Sequence, residues 1–154
     1  MLRVYLETTI FNIFIEEDRE YCKETKELFT SIRLKKIDAF TSAYVIQELE
    51  EASEPKKSKM LDLITEYNIA VLEYDARAFE LADLYIELEI LPRKSRVDGA
   101  HIAMSAIHDM DCIVSLNFKH INKLKTKAAT EVIHKIKGFS NPYICTPMEV
   151  INYE

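Results

Sequence analysis

Three carboxylates and one amide, Glu7, Glu48, Asp98 and Asn117, each stand where an apolar run hands over to helical or turn-forming sequence. Acids that converge in a cleft without paired cations either bind a metal or fail to ionise. Such an oxygen-rich set suits a hard divalent cation such as Mg²⁺ or Mn²⁺, which keeps waters and can turn one into a nucleophile beside a phosphodiester. The chemistry implied is metal-dependent phosphodiester cleavage. Thr8, Thr9 and Ser115 adjoin these positions and can orient a carboxylate or a water, although capping and turn formation are the default roles of such hydroxyls.

Each residue also has a plainer reading. Ser95-Arg96-Val97-Asp98 has the spacing of a capping box, in which Asp98 would only start a helix. The small residues that follow, Gly99, Ala100, Ala103, Ser105 and Ala106, predict a helix that approaches its neighbours closely and carries Asp98 inward, where an acid needs a partner. Glu48 borders the apolar face set by Val45, Leu49 and Ala52, so it is either a specific ligand or half of a surface ion pair. Glu7 directly follows a buried run and must be satisfied by a metal, a lysine or a cap. Asn117 can shape a turn or place an amide oxygen on a cation or its water.

The elements that must position these groups follow from periodicity. Leu2 to Leu6 reads as a buried strand, with a helix from about Thr9; Glu20 to Leu34 reads as an amphipathic helix and Ile37 to Thr41 as a second strand. Ser42 caps a helix running through Ala52. Helices are predicted over Ser58 to Tyr67, Ala76 to Leu88, Ser95 to Met110 and part of Ile121 to Ile136. Strands are predicted over Ile69 to Tyr74, Cys112 to Leu116 and Tyr143 to Thr146. This alternation predicts an α/β fold with a mostly parallel sheet, whose ligands sit at the carboxyl ends of the strands. All four polar residues can face that edge.

The 154 residues, 48 % of them hydrophobic, fit one domain spanning 1–154 that folds without staples. No apolar stretch approaches the roughly 20 residues needed to cross a bilayer. Three widely separated cysteines, Cys22, Cys112 and Cys145, suit free thiols in a reducing compartment, and the expectation is a cytoplasmic protein. The net charge of −6 is uneven: Pro92 to Gly138 holds nine Lys and Arg against four acids, a local +5. That segment can attract a phosphate backbone, with Arg96, Lys119 and Lys123 as candidate contacts, or it is an ordinary solvated face. No P-loop, GxGxxG, G-x-S-x-G or H-E-x-x-H motif occurs, which disfavours nucleotide binding, serine hydrolysis and zinc. The aromatic residues are dispersed, and no clustered platform for stacking bases is read from them.

Three segments, Val4-Tyr5-Leu6-Glu7-Thr8-Thr9, Thr41-Ser42-Ala43-Tyr44-Val45-Ile46-Gln47-Glu48, and Asp98-Gly99-Ala100-His101-Ile102-Ala103 running on to Val114-Ser115-Leu116-Asn117-Phe118-Lys119-His120-Ile121, together resemble the PIN-domain family, in particular the small stand-alone VapC-type toxins of toxin–antitoxin pairs. The resemblance implies a three-layer α/β/α sandwich and Mg²⁺- or Mn²⁺-dependent endoribonuclease activity. It also implies a small antitoxin partner and a homodimer. By position Glu7, Glu48 and Asp98 match the family's three principal acids, and Asn117 falls where many members carry a fourth. The commoner first residue is Asp, and Asn117 brings no charge. A catalytically weak PIN-like module that binds RNA or protein is the alternative.

Overall fold

The computed structural model describes residues 1–153. Its centre is a five-stranded, all-parallel sheet in the order β3-β2-β1-β4-β5. The strands are β1 (Leu2–Leu6), β2 (Ile37–Ser42), β3 (Ala70–Leu72), β4 (Cys112–Val114) and β5 (Tyr143–Cys145). Strand β1 is central because Val4, Tyr5 and Leu6 are wholly buried, as a strand covered on both faces requires.

The helices are α1 (Thr8–Ile15), α2 (Cys22–Arg33), α3 (Ala43–Glu50), α4 (Lys56–Glu66), α5 (Ala76–Glu87), α6 (Arg96–Ile107), α7 (Leu124–Lys137) and α8 (Pro147–Ile151). Helix α1 packs on α2 and α4, α2 on α8, and α5 on α6. The result is the mostly parallel α/β fold read from the alternation, with the α/β/α layering that the resemblance implies. Among the described residues no helix is long and apolar enough to cross a membrane, and Cys22, Cys112 and Cys145 are free thiols.

Register aligns the strand ends that matter. Tyr5 pairs with Phe40 and Ile113, and Leu6 with Val114, so β1, β2 and β4 finish side by side. The Glu7 amide donates to the Val114 carbonyl at 3.1 Å, and the Thr41 hydroxyl donates to the Leu6 carbonyl at 2.9 Å. The strand order reverses between β1 and β4, and the crevice at such a reversal is where open α/β sheets place their ligands.

Helix α6 meets α5 so closely that a Cβ on Gly99 would lie 2.9 Å from the Ala82 Cβ. Only glycine permits that approach, and it seats the Gly99–Ala106 run, every residue of it buried, against the core. Several elements are shorter than periodicity predicts: β3 stops at Leu72, β4 at Val114 and α6 at Ile107, while α7 begins only at Leu124. Helix α8 escaped the sequence reading although its signal was present, since Thr146 and Glu149 form a capping box with Pro147 in the first turn.

Candidate metal and catalytic site

Glu7 leaves the end of β1 with only 2 % of its surface exposed. Two hydroxyls hold its Oε1: Thr9 donates at 2.6 Å and Ser115 at 2.7 Å. Thr9 also accepts from the Leu116 amide at 2.9 Å, tying the start of α1 to the segment after β4. Among the described residues the second oxygen of Glu7 has no hydrogen-bond partner, and it is not sealed from solvent. Burial raises the Glu7 pKa; His101 and the two hydroxyls oppose that rise and the charge of Glu48 adds to it.

Glu48, on α3, is set by Ser42, which accepts from the Val45 amide as the expected cap. Its Oε1 accepts from the Thr8 hydroxyl at 2.6 Å and bonds His101 Nε2 at 2.5 Å. Burial alone would raise the Glu48 pKa, but the hydrogen bond and charge of His101, with Thr8, bring it below the usual carboxylate range. Glu48 is therefore not half of a surface pair with lysine or arginine. Its counter-group is a buried imidazole.

Asp98 sits in the first turn of α6, half-buried. Ser95 makes no capping bond to the helix backbone, so the capping-box reading is not what holds it. Burial raises the Asp98 pKa, with His101 and His120 opposing and Glu48 reinforcing the rise. Glu7, Glu48 and Asp98, brought from three elements, thus share one electrostatic field. Nδ1 of His120 is, among the described residues, the one buried side-chain polar atom without a hydrogen-bond partner.

His101, wholly buried on α6, is the residue sequence reasoning missed. Its Nδ1 bonds the Tyr5 hydroxyl at 2.7 Å, and that hydroxyl bonds Ser42 Oγ at 2.7 Å. Burial disfavours its charged form, but the bond to Glu48 and the fields of Glu48, Glu7 and Asp98 outweigh it, and its pKa is raised. The available signal was its position three residues after Asp98, on the same helical face, within an otherwise apolar run.

The remaining predicted residues divide. Asn117 shapes a turn: its Oδ1 accepts from the His120 amide at 3.0 Å and its carbonyl from the amides of Ile121 and Asn122. Arg96 forms a two-pronged pair with Asp83 (2.7 and 3.0 Å) and lies over the Phe79 ring, so its guanidinium is engaged. Lys119 and Lys123 are exposed beside the turn.

The donor set fits a hard divalent cation in kind: three carboxylates, of which Glu48 raises the pKa of Glu7 and of Asp98, and a Glu7 oxygen that no hydroxyl holds. It is not pre-formed as a coordination shell, because among the described residues no three His, Cys, Asp or Glu side chains are gathered to hold a metal.

No protein-family model matches the sequence, and no curated protein aligns with it significantly. Solved structures do. VapBC2 from Rickettsia felis, bound to a DNA fragment from its promoter, is 16 % identical over 94 % of this chain and 98 % of that one, with a TM-score of 0.60. VapC20 from Mycobacterium tuberculosis, a sarcin–ricin loop cleaving toxin, is 13 % identical over 91 % of this chain and 98 % of that one, with a TM-score of 0.56. The five-stranded all-parallel sheet and the match over more than nine-tenths of the chain show that it has the PIN-like α/β/α fold of the VapC toxins.

Proposed function

We propose that the protein is a divalent-metal-dependent endoribonuclease acting as the toxin of a toxin–antitoxin pair. The observation that carries this reading is the gathering of Glu7, Glu48 and Asp98 around His101 at the sheet reversal, where burial and the charge of Glu48 raise the pKa of Glu7 and Asp98 despite that imidazole. A structural neighbour that cleaves the sarcin–ricin loop supports RNA as the substrate.

Glu7, Glu48 and Asp98 would hold Mg²⁺ or Mn²⁺. The bound ion would supply Lewis-acid activation of water and neutralise the phosphate. Thr9 and Ser115 fix one Glu7 oxygen and leave the other without a hydrogen bond among the described residues. Thr8 and His101 do the same for Glu48, and the Tyr5–Ser42 chain fixes the imidazole. Asn117 holds the turn that presents Lys119, which with Lys123 would contact flanking phosphates. The apolar stripe Leu124, Val132 and Ile136 on α7, exposed by 82, 56 and 73 %, supports contact with an antitoxin or a second copy.

The test is RNA cleavage with Mn²⁺, with and without chelator, and with Asp98→Asn. Cleavage by that variant at the wild-type rate would rule the site out. The lack of a pre-formed shell favours a second reading, a PIN-like RNA- or protein-binding module with weak chemistry. Calorimetry separates the two: RNA affinity retained without any divalent-ion binding selects the module.

A further inference from the structure

A cleft of about 490 Å³ is lined in part by Thr9, whose hydroxyl donates to Glu7. Asn12, Ile13 and Leu116 line it, together with two aromatic residues, Tyr21 and Phe118. Their ring centres are 5.6 Å apart and the planes are inclined by 47°, so the rings are splayed. Phe118 is 44 % exposed although it directly follows the Asn117 turn. Tyr21 precedes α2 with a φ of 71°, a left-handed conformation that bulky side chains rarely adopt.

We propose that this cleft is a nucleobase subsite, which holds the base of the nucleotide adjoining the scissile phosphate of single-stranded RNA. The proposal rests on the reading of the acid cluster as a ribonuclease site and adds to it the group that grips the substrate beside the cut. Splayed, partly exposed aromatic rings offer a face to any base, and recognition of single-stranded RNA relies on such stacking together with hydrogen bonds to base edges. Asn12 supplies an acceptor for a base edge: its Nδ2 donates to the Thr8 carbonyl at 3.1 Å, and its Oδ1 has no hydrogen-bond partner among the described residues.

Charge decides between a base and a phosphate. The two cations on the rim, Arg19 and Lys56, both close on Glu16, at 2.6 and 2.8 Å, and Glu20 adds another acid. The cleft therefore offers no unpaired cation to a phosphate and suits an uncharged ring. Lys119, one residue beyond Phe118, lies outside it and is free for the backbone. The two aromatic residues are far apart in sequence, which is why no stacking platform was legible there; the β4 end and the α1–α2 connection bring them together.

The experiment uses the full chain with Asp98→Asn, in Mn²⁺, and short single-stranded RNAs carrying 2-aminopurine at each position in turn. The expected result is quenching confined to one position or two adjacent ones. Phe118→Ala should weaken binding about tenfold, with Phe118→Tyr close to the parent. An abasic spacer at the quenched position should weaken binding as much as Phe118→Ala does, and adding Phe118→Ala to the abasic RNA should cost nothing more. Uniform quenching, equal losses on intact and abasic RNA, or no RNA affinity in the parent chain would each overturn the subsite. So would a small protein partner that buries Phe118 while RNA affinity is absent. The parent and abasic measurements require no variant at Phe118 to fold. Base-specific quenching with no cleavage by the native chain in Mn²⁺ would leave the subsite standing and defeat the nuclease reading alone.

Discussion

Two Tyr–His pairs are buried in this molecule, and they behave in opposite ways. Tyr5 and His101 lie on the site side, and Tyr85 and His134 join α5 to α7; in both the ring centres are 5.8 Å apart and the tyrosine hydroxyl bonds the imidazole. The difference is the third partner. His101 meets the Glu48 carboxylate at 2.5 Å, and its pKa is raised despite burial. His134 meets the Asn141 amide oxygen at 2.8 Å, burial dominates, and its pKa is lowered. A buried imidazole beside an acid becomes a cation in waiting, and beside an amide it remains a neutral strut. The same fold thus holds one histidine that can answer a cluster of negative charge and one that only packs.

That contrast can be broken most forcefully at Glu48. Glu48→Gln removes one of the three acids and should reduce RNA cleavage on the order of a thousandfold, as loss of a principal electrostatic group does. In the metal-free chain the same substitution should bring the His101 titration, followed by NMR, below the ordinary histidine range, as for His134. A His101 pKa that stays raised would show that the carboxylate is not the cause.

Removing the imidazoles should separate the pairs next. His101→Ala takes the imidazole from Glu48 and the Tyr5 hydroxyl, which keep only Thr8 and Ser42, and should cost about 3 kcal/mol in urea unfolding. His134→Ala strands only neutral groups and should cost less, about 2 kcal/mol.

Glu7→Gln sharpens the comparison from the acid side. Because the folded pKa of Glu7 is raised, its carboxyl favours the folded state below the ordinary carboxylate range, and that contribution is lost as pH rises through the folded value. The variant should therefore be more stable than the native protein at neutral pH, by about 1 kcal/mol, with the gain vanishing toward pH 4, and inactive on RNA. Urea midpoints across pH measure it.

The smallest effect is the converse swap. His134 has a lowered folded pKa, so its contribution is present above the unfolded histidine value and lost as pH falls through the folded one. Asn141→Asp should raise the His134 pKa and shift stability toward lower pH by about 0.5 kcal/mol, a modest figure because residue 141 is exposed.

A distant acid gives the comparison its scale. Asp75 caps α5, accepts from the backbone and side chain of Arg77, and meets His108, and these bonds hold its pKa down at about 2. Glu7 and Asp98 lack such cations, and their pKa values rise instead. Acids left unpaid in this way are a recurrent mark of functional sites.

Much of this was legible in the amino-acid order. Alternating apolar runs gave the strands and helices, Ser42 announced its helix, and the small residues after Asp98 announced the close α5–α6 contact, because period and volume are local properties of a chain. The same reasoning placed Glu7, Glu48 and Asp98 at one edge of the sheet and marked Thr8, Thr9 and Ser115 as possible supports. What it left open were choices between partners. His101 joins Tyr5 across 96 residues and Glu48 across 53, Arg96 turns to Asp83, and Phe118 turns to Tyr21. Only the strand order, the packing of α6 and the meeting of the β4 end with the α1–α2 connection bring these groups within hydrogen-bonding or van der Waals distance. The sequence by itself determined the elements and the acids at their ends; the tertiary structure decided which group each polar side chain meets, since such contacts act over a few ångströms and only the folded chain fixes those distances.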